Sequence, residues 1–237
     1  MPPSPGQIAF EFDHRPALGC EDFVVAPCNR EAVAWIDRWP DWPGPALAIF
    51  GPPGCGKTHL GRVWQARSKA RHLDPVALAR PGHFAAFEPG TGCWIVENLC
   101  LALGDQDLGD QDLAQPFLHV FNRIAEAKGQ LLVVDRAPPA RWPVALKDLA
   151  SRLAAMPAVA VGPPDDALIG AVLVKLFADR QLKVAPEVVI YLLARMERSF
   201  EAATELVAAI DTAALTAGRN VTVPLVGEVL RASHAPE

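Results

Sequence analysis

The sequence is short of the features that place a chain outside the cell or in a membrane. Its five cysteines, Cys20, Cys28, Cys55, Cys93 and Cys100, are odd in number and form no C-x-x-C pair. No disulfide framework or cysteine metal knuckle is therefore written into it, and they are expected as free thiols in a reducing cytoplasm. No uninterrupted apolar run reaches the ~18 residues that a membrane-crossing helix needs. The opening MPPSPGQ has neither a basic n-region nor an apolar h-region, so no secretory signal is expected. Positive charge is in deficit as well: 22 Lys and Arg against 27 Asp and Glu leave a net charge of −5. A protein that grips nucleic acid through its phosphates is usually basic. The expected partners are thus nucleotides or other proteins, with no membrane and no direct sequence-specific DNA contact.

What is present is a core. Apolar residues make up 51% of 237, which excludes wholesale disorder. Prolines and glycines gather at boundaries between patterned segments. Glu31–Trp39 has helical spacing and ends in a Pro/Gly cluster. Ala46–Phe50, Cys93–Val96, Leu131–Val134 and Val159–Val161 read as buried strands, with weaker strands expected near Pro75–Ala79 and Phe84–Phe87. Helices are expected from Thr58 to about Arg71 and over roughly 115–128. This alternation predicts a parallel α/β sheet. After Gly162-Pro163-Pro164 only helical patterns remain, over 165–180, 185–195, 200–217 and 224–232. The tandem repeat GDQDLGDQDL (104–113) reads as an acidic, solvated loop.

Gly51-Pro52-Pro53-Gly54-Cys55-Gly56-Lys57-Thr58 matches GxxxxGK[ST], with a buried strand before it and a helix after it. Glycines let the backbone N–H groups close around a β-phosphate, and the helix N-terminus adds its positive end. Lys57 is expected on the β/γ-phosphates and the Thr58 hydroxyl on Mg²⁺. The apolar run Cys93–Val96 leads into Glu97-Asn98. Glu97 can reach the metal shell, whereas Asn98 cannot act as a base, so the pattern predicts nucleotide binding with poor hydrolysis.

With these pieces placed, the chain resembles the DnaA-related AAA+ ATPases, and among them the Hda-type regulators. Asp22-Phe-Val24-Val25-Ala-Pro-Cys-Asn29 resembles the family's segment ahead of the phosphate loop, whose backbone borders adenine. Phe117–Ile124 is similar to the helix after the Walker B strand, and Leu131–Pro139 to the sensor 1 strand, here with Val134 or Asp135 where a small polar residue is usual. Leu149-Ala-Ser-Arg152-Leu153 resembles the box carrying the family's arginine finger. Phe177–Leu182 and Gly218–Thr222 resemble its helical lid. The family's sensor 2 arginine falls on Glu201, with Arg198 one turn earlier. Gln7-Ile8-Ala-Phe10-Glu-Phe12 is similar to a sliding-clamp-binding peptide. In an extended chain Ile8, Phe10 and Phe12 share one side, but the same hexapeptide also reads as an ordinary first strand.

The resemblance implies a P-loop AAA+ three-layer parallel sheet with a C-terminal all-helical lid: a tail over 1–14, a base over 15–163 and a lid over 164–237. It implies ADP or ATP with Mg²⁺, held by Val24, Val25, residues 51–58, Glu97 and Arg198. The sliding clamp would be bound through Gln7, Ile8, Phe10 and Phe12, and Arg152 offered to ATP on DnaA. DNA is then met only through the clamp, and a homo-oligomer stays open. The competing expectations are a P-loop ATPase with its own turnover and a helicase-loader-like protein.

Overall fold

Parallel strands need crossovers, and here helices connect successive strands of the sheet. The computed structural model describes residues 14–15, 23–78, 92–104 and 113–233. Two short strands, β1 (His14–Arg15) and β2 (Phe23–Val24), pair with each other. Helix α1 (Arg30–Asp37) is followed by β3 (Ala46–Phe50), α2 (Lys57–Ser68), β4 (Arg71–Leu73) and the single turn α3 (Pro75–Leu78). Then come β5 (Cys93–Glu97), α4 (Leu99–Gly104), α5 (Ala114–Glu126) and β6 (Gln130–Asp135). A 3₁₀ turn (Pro139–Arg141), α6 (Lys147–Ala155) and β7 (Ala158–Ala160) complete this part. The strands form one parallel sheet in the order β4-β5-β6-β3-β7.

Both faces of the central strands are buried, so Ala46–Ile49, Trp94–Val96 and Leu131–Val134 are unbroken apolar runs whose alternation sorts them between two cores. Leu47, Ile49, Ile95, Leu132 and Val134 join Leu60 and Trp64 of α2 and Ile36 of α1. Ala46, Ala48, Trp94, Val96, Leu131 and Val133 face the other way, onto Leu99, Phe117, Val120, Ile124, Leu149 and Leu153. On the first side Trp64, fully buried, stacks on Trp42 at 5.4 Å and meets Trp39 edge-on at 6.3 Å.

The expectation of a strand over Pro75–Ala79 is corrected. The strand is β4, four residues earlier, and Pro75–Leu78 is a helical turn. Asp74 Oδ1 accepts the Val76 amide at 2.9 Å, and Pro75 occupies the first helical position that its fixed φ favours. Helix α2 also stops before Arg71, because Lys69 turns left-handed (φ 55°) and its N–H closes on the Gln65 carbonyl. The strand expected over 84–87 and most of the acidic repeat lie outside the described residues.

A second unit comprises, of the described residues, 163–233 together with 14–15 and 24–26. Its described part holds α7 (Asp166–Asp179), α8 (Pro186–Leu193), α9 (Phe200–Ala217) and α10 (Val223–Ser233). They share a core of Leu173, Phe177, Leu192, Val207, Ile210 and Val226. The caps are explicit. Asp165 accepts from the Leu168 amide at 2.8 Å and Ser199 from the Ala202 amide at 3.1 Å, and Gly218 ends α9 at φ 61°. Among the described residues no helix is long and apolar enough to cross a membrane.

One contact ties the phosphate loop to the sheet edge. A Cβ placed on Gly51 would sit 2.1 Å from the Val161 carbonyl oxygen, a backbone atom that cannot step aside. Gly51→Ala should therefore cost about 1–3 kcal/mol, the usual range for overpacking. Thermal unfolding against the parent checks this, and an unchanged midpoint would contradict the close approach.

Candidate nucleotide site

The phosphate loop begins where β3 ends. Gly54 (φ 68°) and Gly56 (φ 92°) take left-handed conformations that L side chains rarely adopt. They curl the loop so that α2 starts at Lys57 with its N-terminus at the loop's mouth. Cys55 is buried beneath the loop, while Pro52, Pro53 and Thr58 are exposed.

Lys57 is only 9% exposed. Its Nζ donates to the Pro52 carbonyl at 2.6 Å and lies 3.6 Å from the Cys55 sulfur. Among the described residues, both partners of this ammonium are neutral. A buried cation is ordinarily paired with an anion, so a lysine in neutral company at a helix N-terminus is chemistry suited to a phosphate.

Strand parity decides the rest. Glu97 shares the side of Ile95 and points toward α2. Its Oε1 lies 4.0 Å from where a Cβ on Gly61 would stand, one turn beyond Lys57 and Thr58. Among the described residues no three of His, Cys, Asp and Glu gather into a protein-only metal cage. Mg²⁺ is usually held by one or two side-chain oxygens plus substrate phosphates, and the side-chain oxygens that would be offered to it here are the Thr58 hydroxyl and the Glu97 carboxylate.

Asn98 has φ 54°, a left-handed position that Asn adopts more readily than Glu. Of the two residues at the sensor 1 position, Val134 packs toward Gly61, with Cγ2 3.3 Å from the same Cβ position, and offers no polar atom. Asp135, 3% exposed, turns to the opposite face. Its Oδ2 accepts the Cys100 amide at 2.8 Å and its Oδ1 the Arg136 amide at 2.7 Å. This arrangement was not visible in the sequence, where the only signal is a carboxylate ending an apolar strand.

Arg152 lies on α6 between the buried Leu149 and Leu153, at a cleft of about 380 Å³ lined also by Pro45, Ala46, Phe121, Met156 and Pro157. Ala46 begins β3, so this cleft is at the opposite end of the strand from Gly51. The Arg152 side chain is 41% exposed and its Nε reaches Asp148 Oδ1 at 3.3 Å. An exposed i,i+4 pair contributes about 0.3–0.5 kcal/mol, so little holds the guanidinium back.

In the helical unit Arg198 forks onto Asp166, Nε to Oδ1 at 2.5 Å and Nη2 to Oδ2 at 3.2 Å. The guanidinium holds the Asp166 carboxyl below its ordinary range, and Asp166 raises Arg198 in turn. Val24 is buried and Val25 half-buried, and both group with the helical unit. Gln7, Ile8, Phe10 and Phe12 lie outside the described residues. Cys55, Cys93 and Cys100 are free thiols. Burial pushes Cys93 and Cys100 up, and Asp135 adds to the rise at Cys100.

Known proteins echo this construction. Residues 166–230 match the family model of the Hda lid domain. An uncharacterized protein of Haemophilus influenzae is 28% identical over 195 residues, covering 78% of this chain and 81% of its own. Domain III of the Thermotoga maritima replication initiation protein DnaA superposes with a TM-score of 0.74 at 16% identity, covering 90% of this chain and 95% of that one. AMPPCP-bound DnaA from Aquifex aeolicus gives 0.63 at 16% identity, over 79% of this chain and 63% of its own. The parallel sheet, the phosphate loop between β3 and α2 and the four C-terminal helices are therefore those of the fold seen in DnaA domain III, and the helical segment 166–230 matches the Hda lid domain.

Proposed function

We propose that this chain is a nucleotide-bound regulator of replication initiation. It docks on the sliding clamp through Gln7, Ile8, Phe10 and Phe12 and offers Arg152 to ATP held by DnaA. The observation that carries this reading is the place of Arg152. It stands at the far end of β3 from its own phosphate loop, on a helix anchored by two buried leucines, with one weak ion pair to break. An arginine so placed is out of reach of its own nucleotide and open to another molecule.

In this reading Lys57 and the loop amides hold the phosphates of ADP or ATP, and Thr58 and Glu97 hold Mg²⁺. Mg²⁺, when bound, neutralises charge on the β- and γ-oxygens. Asn98 leaves no base beside the attacking water, and Val134 offers it no hydrogen bond. The chain's own nucleotide then serves as a fixed structural ligand and turns over slowly. The planar guanidinium of Arg152 supplies the two-pronged contact that stabilises charge spreading over a transferring phosphoryl group.

Lys57→Ala should weaken ADP binding by about 1.5–3 kcal/mol, the contribution of a charged hydrogen bond. Calorimetry measures it, and unchanged affinity removes the site. In single-turnover hydrolysis of labelled ATP preloaded on DnaA, with clamp on DNA, Arg152→Ala should abolish stimulation. Arginine fingers contribute about 10³–10⁵ in rate where they have been measured in GTPases. Arg152→Lys should fail nearly as badly, and both variants should still bind clamp and ADP. Stimulation at the parent level would end the arginine-finger reading. The paired change Phe10→Ala and Phe12→Ala should abolish clamp binding while ADP affinity stays at the parent value, since few anchors carry most of a peptide's affinity. Retained clamp binding would make the hexapeptide a plain segment of the fold.

A further inference from the structure

We propose that Asp135 is a positioning residue for the Mg²⁺ side of the nucleotide site, holding Glu97 toward α2 by fixing the turn between β5 and α4. This rests on the nucleotide reading above. The juxtaposition behind it is that one residue at the end of β6 grips both neighbouring strands' exits. Its carbonyl accepts the Gly51 amide at 3.2 Å, where the phosphate loop starts. Its carboxylate accepts the Cys100 amide at 2.8 Å, in the first turn after Glu97-Asn98. The preceding carbonyl, that of Val134, accepts the Asn98 amide at 3.0 Å. The turn that follows Glu97 therefore hangs from two consecutive residues of β6.

Three further facts give the carboxylate this role rather than contact with a phosphate. Parity sends Asp135 to the face of Leu131 and Val133, whereas α2 and Glu97 belong to the face of Leu132 and Val134. Both carboxylate oxygens are already engaged, Oδ1 by the Arg136 amide at 2.7 Å and Oδ2 by Cys100. The group is 3% exposed and is held by these two backbone amides. A buried charge so satisfied is costly unless the donors stay where they are, so it selects one geometry of the turn. That geometry includes Asn98 at φ 54° and sends the Glu97 side chain out on the α2 side. The bonds run through the backbone of residues 98–100, so Asp135 acts on Glu97 without touching it.

The test is calorimetric titration of the full chain with ADP, once in MgCl₂ and once in EDTA. The ratio of the two affinities is the Mg²⁺ increment. Asp135→Asn keeps the shape but turns an N–H₂ toward one of the two amides. It should leave the affinity in EDTA at the parent value and cut the increment at least fivefold. Glu97→Gln should cut it similarly, and adding Asp135→Asn to Glu97→Gln should change it no further, because the first residue works through the second. Cys100→Pro removes the donated N–H while leaving the carboxylate in place, at a first-turn position that proline tolerates, and should reproduce the loss. An Asp135→Asn protein with the full increment overturns the proposal, and so does one whose affinity falls equally with and without Mg²⁺, or a double variant that loses the two effects additively. A parent with no Mg²⁺ increment overturns the role of Glu97 itself and this proposal with it. A parent that binds no ADP removes the nucleotide reading first.

Discussion

The position of β6 between β3 and β5 is the constraint on which the nucleotide side depends. Strands lie about 4.8 Å apart, so one intervening strand sets the phosphate loop and Glu97 about 10 Å apart. That interval suits phosphates bound at one exit and a hydrated divalent ion carried toward the other. The register holds it: Phe50 is level with Asp135, and Val134 with Glu97. A one-residue slip of β6 would exchange its two faces. It would bring Asp135 toward α2 and bury Val134 against α4. The continuous burial of Leu131 to Val134 on both sides makes such a slip expensive.

The two arginines that the sequence brings forward have opposite circumstances. Arg198, in the loop between α8 and α9, makes a two-bond fork with Asp166 at the start of α7. Arg152 has a single longer bond to a residue on its own helix, which ties no element to another. The first cation is bonded to a distant segment of the chain. The second satisfies only its own helix turn and has its charge left for something else. The sequence pattern alone offers both as arginines that could meet a phosphate.

Legibility followed the chemistry. The phosphate loop could be read because tight backbone curvature next to an anion admits few residues, and Gly54 and Gly56 do take left-handed angles. The central strands could be read because burial on both faces leaves unbroken apolar runs. Pro75-Val-Ala-Leu78 misled for the same reason: an apolar tetrapeptide carries no period, and the Asp74 side chain that turns it into a helix is a local hydrogen bond. The direction of Asp135 depended on which face of β6 meets α4, a matter of topology beyond any motif. The same holds for Arg152, whose LASRL context named a role but could not say which end of the sheet it would occupy.

The indole cluster beside α2 has an optical consequence. Four of the six tryptophans, Trp35, Trp39, Trp42 and Trp64, pack in the core on the α1 and α2 side. Trp64 and Trp42 are stacked nearly parallel, with an interplanar angle of 19°. Chromophores this close couple their electronic transitions, so the pair contributes a band of its own to the circular dichroism of the protein. Trp64 rides on the same helix as Lys57 and Thr58. A small rotation of that helix would change the sign or size of the coupled band while the peptide signal stayed constant, which gives the phosphate-loop helix an intrinsic reporter without any added dye.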